Sequence, residues 1–223
     1  MREIVLDTET TGLKFTEGDR IIEIGCVEII NKVRTGKYFH KYINSPKESS
    51  AGALKVHGLT KEFLADKPEF HEISKEFIDF LSDSPLVIHN AKFDMGFINH
   101  EFSLLSIKQL PNQIIDSLIL ARQKFPGAAN NLDALCKRFN IDSSKRIKHG
   151  ALLDAELLAD VYLELCGGSQ ISLSLNDDNE KKEKKTKKTI FPHREYSLSQ
   201  EEKYLHKEML KDITEPLWKT KHN

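Results

Sequence analysis

Two short runs of branched apolar residues, Ile4-Val5-Leu6 and Leu86-Val87-Ile88, do most to limit what this chain can fold into. Runs of that length and composition suit strands buried on both faces, and such strands need helices packed above and below them. The segments 21–30 and 37–43, rich in β-branched and aromatic residues, read as further strands, with a hairpin turning near Asn31-Lys32. Helical spacing predicts helices at about 68–82, 92–105, 117–124, 131–139 and 151–166, the fourth starting behind Asn131 as a cap. A strand cluster followed by helices interleaved with strands gives a mixed α/β domain.

Each apolar run leads into a carboxylate that is out of place. Asp7 and Glu9 follow the first run in VLDTETTG and project from the same face of the strand, because side chains alternate along it. Two acids side by side on a buried strand repel each other and are costly to desolvate unless a cation lies between them. Asp94 follows the second run, on a helix where it shares a face with Phe97, Ile98, Glu101 and Leu105. Asp154 falls on a stripe with Leu157, Leu158, Val161 and Leu165. His149 precedes Asp154 by five residues, which is the wrong helical spacing for a shared face. It joins Asp154 only from a loop ahead of the helix, and Gly150 supports a break there.

Asp7, Glu9, Asp94 and Asp154 are hard oxygen ligands suited to Mg²⁺ or Mn²⁺. Two such ions roughly 3.5–4 Å apart activate a water on one side of a phosphodiester and stabilise the leaving oxygen on the other. A histidine can take the proton from that water at neutral pH. Acids and base together form a complete inventory for hydrolysis, with no need of a cysteine, a serine or an organic cofactor.

The set Asp-x-Glu, His-Asn-Ala-x-Phe-Asp and His-x-x-x-x-Asp is similar to that of the DEDDh group of 3′–5′ exonucleases. More closely, IVLDTETTGL, the loop GALKVHGLT and VIHNAKFDMGFINHEF resemble the proofreading epsilon subunits of bacterial DNA polymerase III, over about residues 1–166. The resemblance implies a ribonuclease H-like exonuclease fold, a five-stranded mixed sheet flanked by helices, with a C-terminal extension. It implies that Asp7, Glu9, Asp94 and Asp154 bind two divalent metals, Mg²⁺ or Mn²⁺, with His149 as general base. It also places Gly52 and His57, with Asp7, Glu9 and Asp154, against the terminal nucleotide. The substrate implied is a single-stranded or frayed 3′ DNA end, and the product a nucleoside 5′-monophosphate. RNA-trimming enzymes of the same group use the same acids, so RNA stays open as a substrate. From another class, a tether between clamp and polymerase is a further reading, although the intact acid set argues against it as the sole role.

Composition agrees with a soluble chain of one sizeable domain and an extension: 223 residues, 39% hydrophobic and 30% charged. A net charge of −1 argues against strong nonspecific affinity for nucleic acid, so a processive partner would hold the substrate in place. Cys26, Cys136 and Cys166 are widely spaced, which fits reduced thiols in a cytoplasmic protein of the replisome. No apolar stretch approaches a membrane span, and MREIVLDTE reads as the start of a strand rather than a signal peptide. Residues 1–166 are expected to form the exonuclease domain. A charged linker, 167–189, follows, with a hinge at Gly167-Gly168-Ser169 and a lysine run that cannot form a core. Within it, Gln170, Leu173 and Leu175 resemble the short peptides that bind the sliding clamp. Residues 190–223 carry apolar side chains that so short a piece cannot bury, which predicts a tail ordering on the polymerase alpha subunit, with Leu217 and Trp218 central. The resemblance leaves room for a small accessory subunit.

Overall fold

Strand β1 (Arg2–Thr10) is buried along nearly its whole length, with Ile4 and Leu6 in one apolar cluster and Val5 in another on the opposite face. Helices therefore cover both faces, as the apolar runs require. The computed structural model of the chain describes residues 1–144, 146, 148–167 and 198–213. Its sheet has the order β3-β2-β1-β4-β5. Strand β2 (Ile21–Ile30) is antiparallel to β1 and to β3 (Val33–Tyr42), whereas β4 (Leu86–Ile88) and β5 (Ile114–Asp116) run parallel to β1. The β2–β3 hairpin turns at Asn31 and Lys32, with φ of 51° and 64°, the left-handed pair that a tight two-residue turn demands. Strand β3 begins earlier than its sequence indicates, because its first half, Val33–Tyr38, is exposed and lacks an apolar alternation.

Between β3 and β4 lie α1 (Ala51–His57), α2 (Lys61–Leu64) and α3 (Phe70–Leu81). Helix α1 corrects the reading of GALKVHGLT as a loop. Ser50 caps it by accepting from the Ala53 amide, and Gly58 ends it at φ 73°, its amide bonded to the Leu54 carbonyl. Seven residues are too few for helical periodicity to stand out. Then come α4 (Ala91–Leu104), α5 (Ser117–Lys124), α6 (Leu132–Phe139) and α7 (Ala151–Leu165), close to the predicted bounds. Strand β5 completes the five-stranded mixed sheet that the resemblance implies, at a place the sequence does not mark, since three partly exposed residues carry no pattern.

Helix α4 is pinned at both ends. Its first amides, Asn90 and Ala91, donate to Asp116, which also accepts from Leu118 at the start of α5. Near its other end, buried Glu101 receives Arg20 through two bonds of 2.7 and 2.5 Å and accepts from the Ile21 amide. Helix α7 lies on the opposite face, with Ala155, Leu158, Ala159 and Tyr162 packed against Val5, Val27, Ile29 and Val87. Its first turn comes closest to the sheet over Gly25, which pairs with Asp7 across β1 and β2. A Cβ on Gly25 would lie 2.3 Å from the Ala151 carbonyl carbon and the Leu152 nitrogen. No side chain fits there, because backbone cannot rotate aside as a side-chain tip can.

The chain divides into two units, Met1–Leu173 and Ser174–Asn223. In the second, the described part is dominated by α8 (Gln200–Lys211), opened by a capping box between Ser199 and Glu202 and without a buried residue. Gln170, Leu173, Leu175, the lysine run and Leu217-Trp218 lie outside the described residues. Cys26, Cys136 and Cys166 are free thiols, and no described helix is long and apolar enough to cross a membrane.

Gly25→Ala should push the first turn of α7 off the sheet, costing about 1–3 kcal/mol of stability, the usual range for overpacking. Thermal melting checks this. A variant as stable as the parent would show that the close approach is not required.

Candidate active site

The four acids meet at the end of the sheet. Asp7 and Glu9 project from β1 on the face that α7 covers, at the level where Gly25 lets that helix come near. Asp154 stands in the first turn of α7 and Asp94 in the first turn of α4. Glu9, Asp94 and Asp154 are buried, and Asp7 is half-buried. Thr8, on the alternate face of β1, donates its hydroxyl to Asp94 at 2.7 Å and fixes that carboxylate. Gly150 is the N-cap of α7 in extended conformation, so His149 lies on a loop ahead of the helix, as its spacing from Asp154 requires. That loop is tied down, the His149 amide donating to the Val56 carbonyl of α1 at 3.1 Å.

So many acids in one place are electrostatically unfavourable. Burial first, then the charges of Asp94, Asp154 and Glu9, push the Asp7 carboxyl well above the usual carboxylate range. Burial and the Asp154 and Glu23 charges raise Glu9 to about 8. Burial raises Asp94 to about 7 against the opposing Thr8 hydrogen bond. Among the described residues, Glu9, His149 and Asp154 offer ligand atoms within 4.8 Å of one another. Oxygen-rich, mutually repelling and partly open to solvent, this donor set fits hard divalent cations.

Arg146 is the residue that sequence reasoning missed. Its guanidinium grips both oxygens of Asp154, at 2.5 and 2.6 Å, and Asp133 at 2.6 Å. It also donates to His149 Nδ1 at 2.9 Å. With Nδ1 accepting, a neutral imidazole carries its proton on Nε2, so its lone pair faces Arg146 and Asp154. Only 8% of the Arg146 side chain is exposed. Within KRIKHG, nothing in the sequence separates this buried cation from the basic residues around it.

The cleft has a volume of about 510 Å³ and includes Asp133 and Arg146 along with the four acids and His149. It shares Thr8, Glu9, Leu13 and Phe93 with an adjoining pocket of about 320 Å³, whose far side is α1. Gly52 and His57 both line that pocket. His57 is a buried helix residue rather than the turn histidine its neighbour Gly58 suggests, and its Nδ1 accepts from the Leu59 amide. Its Nε2 is buried without a partner among the described residues. On the other side of the cleft, His89 bonds through Nδ1 to the Ser117 hydroxyl at 2.9 Å.

The raised carboxyls set a pH dependence with a definite sign. Groups whose folded-state pKa lies above the unfolded value stabilise the fold below about pH 4 and lose that contribution as pH rises through the folded values, about 7 for Asp94 and about 8 for Glu9. Metal-free protein should therefore melt at progressively lower temperature between roughly pH 5 and 8.5, other groups being equal. Mn²⁺ should restore stability most at the alkaline end and release protons on binding. Calorimetry in buffers of different ionisation enthalpy measures that release, and binding without it would contradict the raised values.

The exonuclease family (RNase_T) matches residues 4–162. The chain is 55% identical over 181 residues to the DNA polymerase III subunit epsilon of Rickettsia felis, covering 79% of each chain. It is 48% identical over 198 residues to the subunit of the same name from Escherichia coli, covering 85% of this chain and 81% of that one. Among solved structures, exonuclease X in complex with 5′-overhanging duplex DNA superposes with a TM-score of 0.59 at 25% identity, over 73% of this chain and 90% of that one. The nuclease domain of 3′hExo, a DEDDh family member bound to rAMP, shares the fold with a TM-score of 0.64 at 17% identity, over 74% and 91%. The chain belongs to the exonuclease family, and within it to the DNA polymerase III epsilon subunits.

Proposed function

We propose that this chain is the proofreading subunit of a replicative DNA polymerase III, removing mispaired nucleotides from 3′ DNA ends as 5′-monophosphates. The observation that carries this reading is the convergence of Asp7, Glu9, Asp94 and Asp154, with their raised carboxyls, on one cleft in a chain of this family. Two divalent cations, Mg²⁺ or Mn²⁺, would be held by these four acids and would supply Lewis acidity at the phosphodiester. His149 is the general base, taking the proton at Nδ1, the ring atom turned toward Asp154, after Arg146 gives up its bond there. Thr8 keeps Asp94 in place through its hydroxyl. The terminal nucleotide seats in the pocket between β1 and α1, against Leu13, Gly52, Val56, His57 and Phe93. The protein works in the cytoplasm, held at the replisome by its partners.

Those partners are the polymerase alpha subunit, through residues 190–223, and the sliding clamp, through Gln170, Leu173 and Leu175. Supporting the first, α8 leaves Tyr204, Leu205 and Met209 exposed, a large apolar set for a short helix.

Chelation, or Asp7→Ala, should nearly abolish hydrolysis. His149→Ala should slow turnover by about 10²–10⁴-fold, the worth of a positioned general base, while leaving Mn²⁺ affinity nearly unchanged. A variant that loses metal affinity instead would make His149 a ligand rather than a base. Deleting 190–223 should preserve hydrolysis of free single strands and abolish co-purification with the alpha subunit. Retained co-purification would place the polymerase contact elsewhere.

A further inference from the structure

The cleft continues into a second groove that the catalytic residues do not use. It shares His89, Asn90 and Asn131 with the cleft, on the side away from the Gly52 and His57 pocket, and has a volume of about 790 Å³. One wall is α5, which contributes Leu118 and, one turn on, Arg122. The other is the turn Pro126-Gly127-Ala128, left-handed at Gly127 with φ 74°.

This wall is braced from behind. Buried Asn130 donates to the Phe125 and Ala128 carbonyls at 3.2 and 2.9 Å. Arg138 donates to the Asn130 side chain and to the Ala129 carbonyl, with its guanidinium 4.3 Å from the centre of the Phe125 ring. The groove is therefore formed in advance, and binding in it costs little ordering.

Its charge is the reverse of the cleft's. Among the described residues, no carboxylate lines the groove. Arg122 is exposed and makes no hydrogen bond or ion pair among the described residues, unlike Arg20 and Arg146, which are saturated by acids. Asn90 and Asn131 add neutral amides, and Leu118 and Pro126 add apolar surface. The whole chain, at −1, offers a polyanionic strand no general attraction. An unpaired guanidinium just outside the acidic centre is where a backbone phosphate gains most.

We propose that this groove is a second subsite for the substrate strand, in which Arg122 pairs with a phosphate of the nucleotides preceding the scissile bond. This rests on the nuclease reading and adds a direction to it. The strand enters past α5 and the 126–128 turn, crosses the acids, and ends in the pocket beside α1.

The test compares full-length wild type, Arg122→Ala and Arg122→Glu on two substrates with Mn²⁺ present. One is a short single-stranded oligodeoxynucleotide, and the other is the p-nitrophenyl ester of thymidine 5′-monophosphate, which reaches only the cleft and pocket. The expected result for Arg122→Ala is a KM on the oligonucleotide raised about tenfold, with kcat little changed and a salt slope shallower by about 0.7, one single-strand phosphate contact. Arg122→Glu should raise KM further, and the ester should show neither effect. Equal losses on both substrates would mean that Arg122 supports the fold, and no loss on either would leave the groove without a role; both results overturn the subsite. Wild type that cleaves the ester and the oligonucleotide while Arg122→Glu matches it refutes the groove alone. Wild type that cleaves neither refutes the nuclease reading, and the subsite falls with it.

Discussion

Everything at the cleft depends on how near α7 can come to the sheet. Asp154 and His149 belong to the start of that helix and the loop before it, and Asp7 to the middle of the fold. They meet because Gly25, paired with Asp7, leaves room for the backbone of Ala151 and Leu152. The apolar stripe of α7 then supplies the force, since Ala155, Leu158, Ala159 and Tyr162 bury themselves against both antiparallel and parallel strands. Small residues in two of those four places keep the helix axis close along its length. Packing thus does for this site what a local motif cannot, bringing together groups separated by most of the domain.

The second requirement is electrical. Acids in this density have no stable arrangement without counter-charge, and the fold provides one in Arg146. That single side chain satisfies Asp154, Asp133 and the His149 ring together. Replacing it by a divalent cation would exchange one positive centre for another of higher charge and harder preference. Burial, more than repulsion, raises Glu9 and Asp94, and Arg146 offsets only part of the rise at Glu9.

How much of this could be read beforehand follows from physical scale. Asp94 and Asp154 were legible because each interrupts an apolar stripe, a pattern that needs no knowledge of neighbours, and both are buried as that pattern requires. Asp7 and Glu9 were legible from strand alternation, and the loop position of His149 from its spacing and Gly150. Helix α1 was not, because its seven residues barely complete two turns and end in a glycine that also suits a loop. Arg146 was not, because its role is set by which acids surround it in space. Gly25 was equally silent, since its meaning is the helix lying above it. Nothing in the order of residues records that.

One short contact carries a consequence for timing. The amide of His149 is held by the Val56 carbonyl, and Val56 lies one residue from His57 on the wall of the pocket beside α1. The pocket wall and the His149 backbone are therefore joined by one hydrogen bond, with no side chain between them. An outward shift of α1 would therefore pull on the His149 backbone and carry the imidazole with it. On the proposed function, a terminal base that displaced α1 would change the rate of proton removal without touching the histidine.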